Sequence, residues 1–308
     1  MAYTPEEIGS KMDALGIWGI MESYNFAIRA QGTAFPYFCT TMREKGSPVR
    51  VRFLMLEGWQ TLHDFIRYRI DCNFGVCTSL TEFAHLEMVV LETGEVKIMR
   101  CDGGYAPIEA NQRQRDLAAR ILWEEYGVML RLETDRGLPL RFASEKAMFA
   151  RIEGADGKWT DAPLDIPNPP PVVESIAVSV ADMKAAKDVP FDKDFVVDVD
   201  FRLLPEIMTQ EPRPRCVYGL IAVDATTGER VIDSRASVDP ESGLRGMWES
   251  MPQQVLKELI RRCMIPGEIR LRSGRVFRML RALCMELPFK LSLHDTLPSL
   301  DKNIGVAI

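Results

Sequence analysis

Residues 195–238 read FVVDVDFRLLPEIMTQEPRPRCVYGLIAVDATTGERVIDSRASV, and this stretch decides the fold of the second half of the chain. Three runs rich in β-branched and aromatic residues, Phe195–Leu203, Arg215–Val223 and Arg230–Val238, are predicted strands. Thr226-Thr227-Gly228-Glu229 is short enough to turn the second run straight into the third, so the three form an antiparallel meander. Downstream, Val255, Leu259 and Cys263 fall on one helical face, with Ser250 as a cap, Pro252 in the first turn and Pro266-Gly267 as the stop. Strand Glu268–Arg272, a helix from about Gly274 to Leu287, strand Phe289–Leu293 and a short helix near Ser299 follow; Leu300, Ile304 and Ile308 align on that last helix. The order is β-β-β-α-β-α-β-α. Strands separated by helices add in parallel, so the fold class is α/β, with a mixed five-stranded sheet in this half.

Working back toward the N-terminus, Asp165-Ile166-Pro167-Asn168-Pro169-Pro170-Pro171 is stiff and extended and marks a domain boundary. The predicted division is an α+β domain over 1–165, a Pro-rich and charged connector over 166–194 (with a strand at Ser175–Val180 and a short helix), and an α/β domain over 195–308. The first domain opens on a capping box, with Thr4 as cap, Pro5 in the first turn and Glu7 answering the cap. Predicted strands Tyr24–Ala30, Phe35–Arg43 and Val49–Glu57 come next. They are followed by a helix with Trp59, Leu62, Ile66 and Ile70 on one face, then a hairpin turned at Thr93-Gly94, a long helix over Asn111–Leu132, and a hairpin joining Ala147–Ile152 to Lys158–Thr160.

The bulk composition bounds the function. With 38 basic and 44 acidic residues the 308-residue chain carries a net charge of −6, so no global field draws it to nucleic acid or anionic lipid. No apolar run is long enough to span a membrane, and MAYTPEEIGSKMDALGIW lacks the features of a secretion signal. Seven cysteines at 39, 72, 77, 101, 216, 263 and 284 read as free thiols of a reducing compartment, which points to the cytoplasm.

Several segments together resemble a family of uncharacterised bacterial two-domain proteins: Trp18-Gly19-Ile20-Met21-Glu22-Ser23-Tyr24-Asn25-Phe26, Gly58-Trp59, Asp156-Gly157-Lys158-Trp159, and the closing pattern from Ile265-Pro266-Gly267-Glu268-Ile269 to Leu297-Pro298-Ser299-Leu300-Asp301. The resemblance implies two domains and carries no activity. Over roughly residues 190–308 the element order also resembles the ribonuclease-H-like fold, the architecture of many nucleases, integrases and sugar kinases.

Three chemistries fit the residues. Between 257 and 290 stand nine basic residues, including Arg270, Arg272, Arg275 and Arg278, against the three acids Glu258, Glu268 and Glu286. Guanidinium groups so spaced can grip an anionic ligand bidentately, and the helix opening at Ser273-Gly274 adds N–H donors. Alternatively, Asp198 and Asp200, two apart on one strand face, with Asp224 closing the next strand, have the residue types of a metal-dependent phosphoryl-transfer centre. Simple alternation instead turns Asp198 and Asp200 outward as a solvated face. The third chemistry is a protein-interaction scaffold anchored on Trp18, Trp59, Trp159 or Trp248.

His63, His85 and His294 read as structural, with His85 on the polar face of its strand. Cys72-x4-Cys77 lacks zinc-knuckle spacing, and no phosphate loop, dinucleotide turn or nucleophile elbow is present. The expectation is a non-catalytic cytoplasmic binding or interaction protein with neither metal nor cofactor, its partner an anionic ligand or another protein, with the phosphoryl-transfer enzyme as the alternative.

Overall fold

The computed structural model of the chain describes residues 3–16, 26–42, 48–71, 80–169, 175–209 and 213–303. Trp18, Cys72, Cys77, Ile304 and the end of the proline run lie outside them. Two compact units are present: Met1–Ile66, Phe83–Asp102 and Pro107–Pro170 form one, and Arg67–Glu82, Gly103–Ala106 and Pro171–Ile308 form the other.

The first unit is built on an eight-stranded sheet: β1 (Phe26–Arg29), β2 (Tyr37–Met42), β3 (Val49–Glu57), β4 (His85–Leu91), β5 (Val96–Cys101), β6 (Ile108–Glu109), β7 (Ala147–Glu153) and β8 (Trp159–Asp165). Their spatial order is β6-β5-β4-β3-β2-β1-β7-β8. All pairs are antiparallel except β1 with β7, which lies parallel because β7 returns to the sheet only after a long helical excursion. Helix α1 (Pro5–Leu15) starts on the expected capping box, with Thr4 N–H donating to Glu7 at 2.8 Å and Glu7 N–H donating to Thr4 at 3.2 Å. Helix α2 (Gly58–Asp71) departs directly from β3 at Gly58, whose φ of +76° favours glycine. On α2, Ile66, expected on the inner stripe, is 38% exposed, and Phe65 is buried instead. Helix α3 (Gln112–Thr134) is capped by Asn111.

One face of this sheet, through Phe26, Phe53, Met88 and Phe149, forms a core with Ile8 and Met12 of α1 and Ile121, Val128 and Met129 of α3. The other face is buried as well: Phe38, Leu54, Leu56, His85 and Glu87 are essentially inaccessible, and Phe38 meets the Trp59 ring at 4.6 Å. His85 therefore does not lie on a solvated polar face. Alternation identifies two faces, and here both are covered.

The second unit holds α4 (Val180–Lys187), β9 (Phe191–Met208), β10 (Arg215–Asp224), β11 (Arg230–Ser237), α5 (Gly243–Arg262), β12 (Ile265–Leu271), α6 (Gly274–Cys284), β13 (Lys290–Leu293) and α7 (Pro298–Asn303). The sheet order is β11-β10-β9-β12-β13, with β10 antiparallel to both neighbours and β9, β12 and β13 mutually parallel. This is the mixed five-stranded sheet that the element order predicts, and the fold is α/β.

Three local expectations fail. Residues 175–179 form no strand; Ser179 instead caps α4. Pro252 sits inside α5 and Ser250 donates back to Met247 O at 2.8 Å, because α5 begins at Gly243, two turns earlier than a proline start implies. The helix ends where Cys263 turns left-handed at φ 53°, so Pro266-Gly267 belongs to β12 rather than to a stop. Gly267 is needed there, since a Cβ would lie 2.2 Å from Lys193 O of the paired strand.

Candidate functional site

In a strand, residues two apart share a face, and the second sheet separates its residues cleanly by that rule. Val197, Val199 and Phe201 of β9 and Ile269 and Leu271 of β12 join Met251, Val255, Met279 and Leu280 of α5 and α6 in the main core. The opposite face carries Asp198 and Asp200 on β9 and Arg270 on β12, with Arg272 just past the end of β12 and Asp198 directly paired to Arg270 in register. Ser292 of β13 stands opposite Arg270.

The aspartates of this face are not solvated. Asp198 is 3% exposed and Asp200 5%, against the outward placement that alternation alone suggests. The cover is α7: Leu297 and Leu300 pack on Ile221 and Val223 of β10, which sit beside Asp200 and Asp198 in register. The same short helix delivers Asp301, also buried.

Four acids and two arginines share this face, and their hydrogen bonding is partial: Asp198 Oδ1, Asp200 Oδ2 and Arg272 Nε are buried without a hydrogen-bond partner. Arg272 donates to Asp301 at 2.6 Å and lies 3.8 Å from Asp200. Arg270 donates to Glu268 at 3.2 Å. Ser292 donates to Glu268 at 2.6 Å and lies 2.9 Å from Nε2 of His294. Burial pushes the Asp198 and Asp200 carboxyls above the usual range, opposed by Arg270 and Arg272 respectively. The Ser292 hydrogen bond holds Glu268 below it.

The other predicted residues scatter. Asp224 ends β10 and uses its carboxylate to accept from Thr226 N–H at 2.7 Å and Thr227 N–H at 3.2 Å, the side-chain-to-backbone turn that aspartate favours. Those turn bonds outweigh desolvation and lower its pKa. Among the described residues, Asp198, Asp200 and Asp224 do not bring ligand atoms within 4.8 Å of one another. Arg275 stacks on Trp248 at 3.7 Å and donates to Glu82 at 2.9 Å, while Arg278 is exposed on α6. Trp248 is buried, and Trp59 and Trp159 are half-buried.

Sequence reasoning did not single out two features. Asp301 joins the network from α7, a helix too short for periodicity to reveal its inner face. In the first unit His85, Glu87 and Cys101 converge, all buried, with ligating atoms within 4.8 Å of one another. The sequence does carry a signal for that convergence: pairing outward from the Thr93-Gly94 turn puts Cys101 opposite His85.

Residues 182–304 match a domain of unknown function, DUF6930. No curated protein and no solved structure matches the chain. Among the described residues, no helix is long and apolar enough to cross a membrane.

Proposed function

We propose that the chain is a non-catalytic binding or interaction protein of the cytoplasm, whose second unit is a ribonuclease-H-like module. The strand order β11-β10-β9-β12-β13, with β10 reversed, supports the fold comparison. One observation carries the reading of catalytic silence: the guanidinium of Arg272 sits between Asp301 and Asp200, on the strand face where a phosphoryl-transfer centre would gather carboxylates around cations. A fixed monovalent cation there already occupies the space between the acids. It also offers no exchangeable coordination site to a water nucleophile. The free thiols at all five described cysteines fit a reducing compartment.

For the anionic partner, Arg270 is the residue that matters. Arg272 and Arg275 each commit an Nη group, to Asp301 and Glu82 respectively, whereas Arg270 binds Glu268 through Nε and its side chain is 37% exposed. Its two Nη groups are the donors open to a phosphate or carboxylate.

The test is a cleavage and electrophoretic-shift assay with single- and double-stranded nucleic acid in Mg²⁺ and in Mn²⁺. The expected result is no metal-dependent cleavage. Retention at low salt that Arg270→Glu abolishes would identify the anion as phosphate. Cleavage that disappears in Asp200→Asn overturns the reading in favour of the phosphoryl-transfer enzyme.

A further inference from the structure

The first unit contains a second buried polar cluster, and its bonding is unfinished. His85 and Glu87 lie two apart on β4 and so share a face, and Cys101, the last residue of β5, is the cross-strand partner of His85. His85 is 0% exposed, Glu87 1% and Cys101 1%. The His85 Nδ1 lies 2.8 Å from the carbonyl oxygen of Phe83. A carbonyl only accepts, so Nδ1 carries the proton and Nε2 of the neutral ring carries a lone pair. That Nε2 is buried and makes no hydrogen bond. It points to Glu87 Oε2 at 3.8 Å, beyond hydrogen-bonding range.

We propose that His85 Nε2, Glu87 and Cys101 Sγ form a binding site for one divalent cation of the zinc class. The spacing between His85 Nε2 and the Glu87 carboxylate is that of ligands separated by a metal rather than by a proton. Bonds of about 2.0–2.3 Å in a tetrahedron place neighbouring ligand atoms roughly 3.3–3.7 Å apart. Here Nε2 to Oε2 is 3.8 Å and Sγ to Oε1 is 3.6 Å. The donor set of imidazole, thiolate and carboxylate selects zinc over magnesium or calcium, which prefer oxygen alone.

The surroundings are those of a ligand set held in advance. A metal-binding histidine characteristically donates its other N–H to a carbonyl, as Nδ1 does to Phe83. Arg52 Nη1 contacts both Glu87 oxygens, at 2.9 and 3.0 Å, and so fixes the carboxylate's direction. The Cys101 thiol donates to Glu87 Oε1, so the metal-free site holds Sγ–H. Binding forms the Sγ–metal bond as that proton leaves to solvent, with no change of oxidation state. Thiolate and carboxylate together balance the dication, and the Arg52 side chain, 20% exposed, keeps its own charge near water.

The full chain, stripped of metal by a chelator, would be titrated with Co²⁺ and then with Zn²⁺. The expected result is one equivalent of Co²⁺ showing visible ligand-field bands and a near-ultraviolet thiolate-to-cobalt band, with Zn²⁺ displacing it. Cys101→Ser should remove the thiolate band, and both Cys101→Ser and His85→Gln should weaken Zn²⁺ binding at least tenfold, with circular dichroism of the metal-free variants unchanged. Absence of the bands, or bands unaltered in both variants, overturns the site. If the variants do not fold, the wild type decides through its histidine ¹⁵N resonances. A His85 Nε2 that shifts on adding one equivalent of Zn²⁺ supports the site. A His85 protonated at both nitrogens and indifferent to Zn²⁺ identifies a plain imidazolium–carboxylate pair and refutes it.

Discussion

Asp200 and Glu125 are both carboxylates buried in a sheet-based core, and the two units accommodate them by opposite means. In the second unit Asp200 faces the Arg272 guanidinium, and Arg272 also binds Asp301. In the first unit Glu125, on α3, is 0% exposed, and neither of its oxygens makes a hydrogen bond; the Cys39 thiol is a polar group beside it. Burial lifts its pKa to about 8, so at neutral pH the folded chain holds a proton there in place of a cation. Charge is neutralised by a guanidinium in one unit and by a proton in the other. The contrast teaches that a buried acid is not by itself evidence of chemistry, and that what matters is whether its neighbours complete its bonding. Asp200 faces a cation, Glu125 is discharged, and in the His85, Glu87 and Cys101 group His85 Nε2 retains an unused lone pair.

The strongest way to break the comparison is Arg272→Met. Removing one partner of a buried pair strands the others, and about 3–5 kcal/mol of stability should be lost. Equilibrium urea unfolding with a probe in the second unit measures it. Adding Asp301→Leu to that variant should recover part of the loss, since an apolar replacement of both partners leaves less uncompensated charge. A single variant as stable as wild type would mean that the network contributes nothing.

Glu125→Gln sharpens the other side. A folded-state pKa raised from 4.5 to about 8 means that the native chain keeps a proton which the unfolded chain releases above its ordinary value. Stability from this residue is therefore undiminished below about pH 4.5, falls as pH rises through the window to about 8, and is level beyond it. At pH 7 the accumulated cost is on the order of 3 kcal/mol. Glu125→Gln should flatten the decline in urea midpoint between pH 5 and pH 8. An unaltered slope would show that Glu125 ionises normally.

Much of this was legible in the sequence, and the failures share one cause. The capping box at Thr4, the limits of β3 and the β-β-β-α-β-α-β-α order are written in local periodicity and turn chemistry, so they can be read without tertiary information. The burial of Asp198, Asp200, His85 and Glu87 cannot. Period-two alternation sorts side chains onto two faces and says nothing of whether a helix such as α7 later covers the second one. The start of α5 was obscured because Pro252, a common first-turn residue, is tolerated inside this helix. The arginine row was legible as residues, while its partners Asp301 and Glu82, distant in sequence, were not.

The smallest expected effect, Asp224→Asn, separates a sequence pattern from a site. Asp198, Asp200 and Asp224 look alike as strand aspartates, yet Asp224 meets water and the two N–H groups of its own turn. Asparagine supplies the same acceptor oxygen and favours the same turn, so the loss should stay under about 1 kcal/mol. Its lowered pKa adds stability that is present above the ordinary aspartate range and is lost as pH falls through the folded value. Asp224→Asn should therefore differ from wild type least at strongly acid pH, where both carry a neutral side chain. Urea midpoints for Asp224→Asn and Asp200→Asn, taken at pH 7 and again in acid, measure this difference. A cost at Asp224 matching that at Asp200 would place both in one network and reopen the grouping of the three aspartates that the geometry argues against.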